Sequence, residues 1–144
     1  MKTTLTAIVT GIPKALLLFF APIKFIIILV AISTVIDTLF GFWKAYNKKD
    51  QITSKKWRFG FVPKVITYVI CVMLVYCSDF FIINEIVKLS ISIDFLFTKL
   101  IALILISIEV KSMDESFKSV KGWSFLDRFT SMIIRAKNIR KNID

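Results

Sequence analysis

The chain contains no histidine, only two cysteines, four glycines and three prolines among its 144 residues. Without imidazole there is no His-dependent catalytic triad, and the commonest metal ligand is missing. Two cysteines cannot build the disulfide framework of a small secreted scaffold. On a helix, Cys71 and Cys77 fall roughly 240° apart, so they cannot pair with each other. So few Gly and Pro residues exclude collagen-like, turn-repeat and linker-rich designs. Acidic side chains are scarce too, 10 against 20 Lys and Arg, for a net charge of +10. With no second domain to arrange reactive groups into a pocket, the sequence predicts no enzymatic activity, no cofactor and no metal site.

What is present is apolar. Hydrophobic residues make up 56% of the chain and Phe alone contributes 14. A soluble domain of this length cannot hide that much apolar surface, and a disordered chain has the opposite composition. The fold class expected is therefore an all-α integral membrane protein. It has three transmembrane helices, an N-terminal interfacial or re-entrant helix over 1–22, and an amphipathic basic C-terminal helix within a tail over 111–144. The membrane domain covers 23–110, with spans at about 25–43, 65–84 and 89–108. A helix over 25–43 covers roughly 28 Å, close to the hydrocarbon thickness of about 30 Å. The third span is the most polar, carrying Asp94 and Lys99. In the N-terminal segment Pro13 and Pro22 interrupt the helix, and Pro22–Lys24 leaves too little chain for a hairpin across a bilayer. Ala7, Gly11 and Ala15 recur at the spacing that lets helices approach closely.

Charge position gives orientation. The connection over 44–64 holds Lys44, Lys48, Lys49, Lys55, Lys56, Arg58 and Lys64, opposed by Asp50 alone. The tail is basic as well, whereas the second connection carries Lys88 against Asp79, Glu85 and Asp94. The positive-inside rule puts the 44–64 loop and the tail in the cytoplasm and the N-terminus outside. No nucleic-acid-binding module accompanies the basic residues, so nucleic acid is not an expected partner. In the tail, Ser124 and Asp127 have the form of a capping box. Phe125, Phe129, Met132, Ile133, Ala136 and Ile139 then form an apolar stripe, with Arg128, Arg135, Lys137 and Arg140 among the polar remainder. Such a helix suits anionic lipid headgroups or a protein partner in an oligomer, and the sequence does not choose between them.

The informative groups are the carboxylates at membrane depth. Asp37 lies about 10 Å along the helix from Lys44, and Glu109 closes the third span on the same side. A charge there costs on the order of 2.5–3.5 kcal/mol, so it calls for a partner, a proton or water. Asp37, Gly41 and Ala45 share a helix face, a candidate oligomer or pore-lining seam together with Asp79 and Glu109. An internal contact of Asp37 with Lys44 or Arg58 accounts for the carboxylate equally well.

These residues also carry a resemblance. The run Asp37-Thr-Leu-Phe-Gly41-Phe-Trp-Lys44-Ala45 resembles the end of the first span in the bacteriophage holins of the toxin-secretion/phage-lysis type. The stretch Ser54-Lys55-Lys56, followed by Arg58, Gly60 and Lys64, is similar to that family's basic loop. Asp79 and Ser107-Ile108-Glu109 match its acidic span ends, although Ser116 stands where the family often has Asn and no Pro follows Pro63. The resemblance implies a homo-oligomer that opens holes in the cytoplasmic membrane for a lysin or toxin, with a lysis-system protein as a further partner. A non-lytic anchor in a phage-related or secretion assembly, or an ion-conducting subunit, are the alternatives.

Overall fold

The computed structural model describes residues 13–50, 54–83 and 93–141. Among the described residues the chain is helical, with no strand. In lipid this is the economical solution, because a helix satisfies every backbone N–H and C=O within one segment. A first helical segment, α1, covers 13–19 and turns through a 3₁₀ helix at Ala21–Ile23 into α2, Lys24–Asn47. The next helix, α3, runs Ser54–Ser78 and ends in a π-turn at Asp79–Ile83; α4 is Leu96–Lys121 and α5 is Phe125–Lys141. Ala7 and Gly11, and the second connection with Lys88, lie outside the described residues.

Two stretches, Ala21–Asn47 and Gly60–Ile83, are long and apolar enough to cross a bilayer. Only 22% and 17% of them are buried, so their apolar surface faces outward, unlike the core helix of a soluble protein. Leu29, Ile32 and Leu39 of α2 and Ile66, Ile70 and Leu74 of α3 are all exposed. The basic connection expected over 44–64 is shorter than its charge pattern suggested. Both neighbouring helices extend into it, and Pro63 sits inside α3, where it has no N–H to give the preceding turn. The third helix opens at Leu96 and continues to Lys121, well past the expected end at 108.

The helices alternate in direction, with α2 packed most extensively along α4 and α3 closing against both. On α2 the buried residues Val30, Ser33, Thr34 and Asp37 recur at helical spacing. Those of α4, including Thr98, Ala102, Leu105, Glu109 and Met113, do the same. The apolar core joins Ile23 and Val30 to Val72, Tyr76, Ala102 and Leu105. Hydroxyls in this seam donate to their own helix: Ser33 Oγ to the Val30 carbonyl at 2.7 Å and Thr34 Oγ1 to the same oxygen at 3.0 Å. At one end Tyr76 Oη donates to the Phe19 carbonyl at 2.8 Å, tying α1 to α3 beneath the rings of Phe20, Phe80 and Phe95.

At the other end the chain turns between α4 and α5 at Gly122, whose φ of 76° is the left-handed conformation glycine adopts without steric cost. Ser124 then caps α5, accepting from the Asp127 N–H at 3.0 Å, as the S-x-x-D pattern predicts. A second cap comes from α4. Asp114 accepts from Ser124 Oγ at 2.6 Å and from the N–H groups of Phe125 and Leu126 at 2.8 and 3.3 Å. Burial pushes the Asp114 carboxyl up, but these hydrogen bonds outweigh it and hold the group below its ordinary value of 3.8. Its folded value is depressed, so its stabilisation is present above about 3.8 and is lost as pH falls through the lower folded value. Asp114→Ala should loosen the first turn of α5 by about 1 kcal/mol at neutral pH. Amide exchange at Phe125 and Leu126 reads this, and unchanged protection would contradict the cap.

Candidate functional site

The polar centre of the bundle is built by one residue from each of three helices. Lys64 of α3 reaches between α2 and α4, its Nζ 2.8 Å from Asp37 Oδ2 and 2.7 Å from Glu109 Oε2. Toward Asp37 the ammonium makes a directed hydrogen bond. Toward Glu109 it makes a close charge contact off the hydrogen-bonding line, and neither Glu109 oxygen receives an aligned hydrogen bond. Glu109 is 0% exposed, whereas Lys64 keeps 29% of its side chain accessible. Tyr68, one turn along α3 from Lys64, stands beside the same Glu109 carboxylate. One ammonium thus serves two carboxylates. The long Lys64 stem lets its charge reach this depth from the end of an apolar helix.

Asp37 and Glu109, both expensive at membrane depth, are therefore brought together, and among the described side chains, which do not include that of Arg58, the group that joins them is not Lys44. It is Lys64, expected in the connecting loop. The signal for it was its place directly before the span expected over 65–84, one turn before Tyr68. Asp79 sits elsewhere. From the π-turn it accepts from both the N–H and the Oγ1 of Thr98, at 2.6 and 2.7 Å, and so caps the N-terminus of α4. The N-cap residue of α4 is Phe95, in a left-handed conformation at φ 54° and with no capping side chain of its own, which makes this borrowed carboxylate the cap.

The remaining candidates are more peripheral. Gly41 is exposed, and a Cβ there would meet nothing, so its close-approach surface is unused within one chain; Ala45 is half-buried. Lys48 and Lys49 are exposed at the end of α2 and Lys44 is half-buried, while Lys55, Lys56 and Arg58 ride the first turns of α3. Below the charge cluster an apolar hollow of about 310 Å³ is lined by Leu39, Phe40, Trp43 and Phe117. The Phe117 ring packs on Trp43, Trp123 and Phe125, joining α2, α4 and α5. Phe129, Ile133 and Arg135 are exposed on α5, and Arg140 lies in its last turn.

Among family models, that of the bacteriophage holin family matches the chain over residues 14–137, a range that contains the whole charge cluster. No curated protein and no solved structure matches it.

The charge arithmetic makes the three members of the cluster unequal. Lys64→Met strands two carboxylates and should destabilise the bundle by about 3 kcal/mol, the low end for a broken buried pair because Lys64 is part-exposed. Asp37→Asn leaves a matched Lys64–Glu109 pair and should cost less. Unfolding in a mixed-detergent titration measures both, and equal losses would refute a shared ammonium.

Proposed function

Because the chain belongs to the bacteriophage holin family, we propose that it oligomerises in the bacterial cytoplasmic membrane and forms holes through which a lysin or toxin crosses. It is a membrane protein without enzymatic chemistry in this reading. The observation that carries the proposal is the polar seam inside an apolar bundle. Ser33, Thr34, Asp37, Thr98 and Glu109 are hidden from lipid, while the outer faces of the same helices are apolar. When helices separate, that seam can face water while the outer faces stay against lipid. Association between copies needs closely approaching surfaces, and the open flank at Gly41 offers one.

The third crossing is α4. Its 26 residues reach about 39 Å, and the uncharged run from Leu100 to Ile108 is bracketed by Lys99 and Glu109. Glu109 is neutralised by Lys64 rather than exposed to hydrocarbon. Three crossings put the basic α2–α3 connection and the C-terminus in the cytoplasm and the N-terminus outside, as the Lys and Arg distribution requires.

A second reading, a non-lytic anchor, draws on the exposed cations Lys48, Lys49, Lys111 and Lys118 at the cytoplasmic end, which suit a docking protein. Expression in a bacterium with a co-expressed lysin separates the two. Wild-type protein should collapse the membrane potential and release the lysin. Asp37→Leu, which leaves a charge-matched pair holding α3 to α4, should delay that collapse at equal protein abundance. A wild-type chain that never depolarises the membrane, and instead co-purifies with a stoichiometric partner, would favour the anchor.

A further inference from the structure

The last helix is held firmly at its start and touches little afterwards. Asp114 and Ser124 cap it, and Phe117 packs on Phe125, yet every residue from Asp127 to Ile139 is exposed. At 100° per residue its apolar side chains Phe125, Leu126, Phe129, Met132, Ile133, Ala136 and Ile139 fill a sector of about 140°, which Arg140 enters only in the last turn. Arg128 and Arg135 border that sector on one side and Lys137 borders it on the other. Asp127, Ser131 and Asn138 lie opposite, with Ile134 the sole apolar residue among them. Cations at both edges of an apolar strip, with the acid farthest away, match a flat layer of anionic headgroups over acyl chains.

Three further features place that layer at the start of α5. Trp43 and Trp123 meet around Phe117 here, and tryptophan favours the headgroup level. The lipid-facing apolar surface continues toward the same end through the exposed Leu39, one turn before Trp43. Arg128 stacks on the Trp123 ring at 3.8 Å, fixing one cationic edge of the helix beside the tryptophan.

We propose that α5 lies in the cytoplasmic headgroup layer of the membrane, its Phe129–Ile133 face inserted and its Arg and Lys borders bound to anionic phospholipid. The Gly122 turn and the Asp114 cap deliver it there as a rigid extension of α4. The inference rests on membrane insertion of the bundle and is independent of hole formation.

The test uses the full chain in nanodiscs, with Cys71→Ser and Cys77→Ser, carrying a fluorescent label at Ile133→Cys or at Ser131→Cys. With phosphatidylglycerol present, the label at position 133 should be blue-shifted and quenched by iodide about tenfold less than that at 131. In phosphatidylcholine alone, or with Arg135→Glu and Lys137→Glu, the difference should shrink to about twofold or less. A benzophenone amino acid at 133 in the otherwise native chain should crosslink to lipid, which removes any dependence on the cysteine replacements. Equal quenching at 131 and 133 in anionic discs would overturn the proposal. So would protection at 133 that follows the number of protein copies per disc rather than lipid charge, because that assigns the face to a second chain.

Discussion

A single ammonium shared by carboxylates on two other helices sets the register of the whole bundle. Charges in hydrocarbon are tolerated only when paired, and Lys64 reaches both Asp37 and Glu109 within 2.8 Å only if α2, α3 and α4 hold one mutual height and rotation. The apolar contacts do not impose that by themselves, since Ile, Val and Leu faces slide past one another with little penalty against lipid of equal polarity. The seam above the cluster then follows from it. Val30 and Val72 meet Ala102 and Leu105 because they lie on the helix faces that the ion contacts have already turned inward.

The other structural acids obey the same constraint in a weaker form. Among the described residues Asp79 and Asp114 have no cation at hydrogen-bonding distance, but each takes free N–H groups at the start of the next helix. A helix N-terminus carries about half a positive charge, so a carboxylate there is stabilised and also removes orphan donors. Each cap also fixes a direction. Asp79 ties the end of α3 to the beginning of α4, and Asp114 ties α4 to the beginning of α5. Between them they define how the chain turns at both ends of α4.

The helical class, the first two spans, the stop at Gly122 and the capping Ser124 were legible because each is local: a hydrophobic run, a glycine after a periodic stretch, a serine three residues before an acid. The demand for a partner at Asp37 and Glu109 was legible as well, from the cost of charge at depth. The partner was not. Lys64 looks like one more member of a basic loop, and only the continuation of α3 back through Pro63 to Ser54 moves it onto a helix face. The two trans caps were hidden for a related reason. Asp79 and Thr98 are 19 residues apart, and Asp114 and Phe125 are 11 apart, so their pairing depends on turn geometry that no periodicity encodes.

On the proposed function, the imbalance of the cluster bears on how such a bundle opens. A neutral buried pair resists separation because each charge loses its only partner, whereas here either carboxylate can leave and the other remains matched. Lys64 keeps 29% of its side chain accessible, while Glu109 behind it is closed off. Hydration entering along Lys64 would therefore meet Asp37 first and Glu109 last, loosening α2 from α3 while α4 stays tethered. On the proposed function, separation along the α2 seam needs no new polar surface, since Asp37, Thr34 and Ser33 already line it. What must be overcome is the packing of Val30 and Ile23 against α3 and α4, an apolar contact that a second copy of the chain can replace with little change in free energy. A lock made of an underpaired charge cluster and exchangeable apolar packing is stable in one chain and convertible among many.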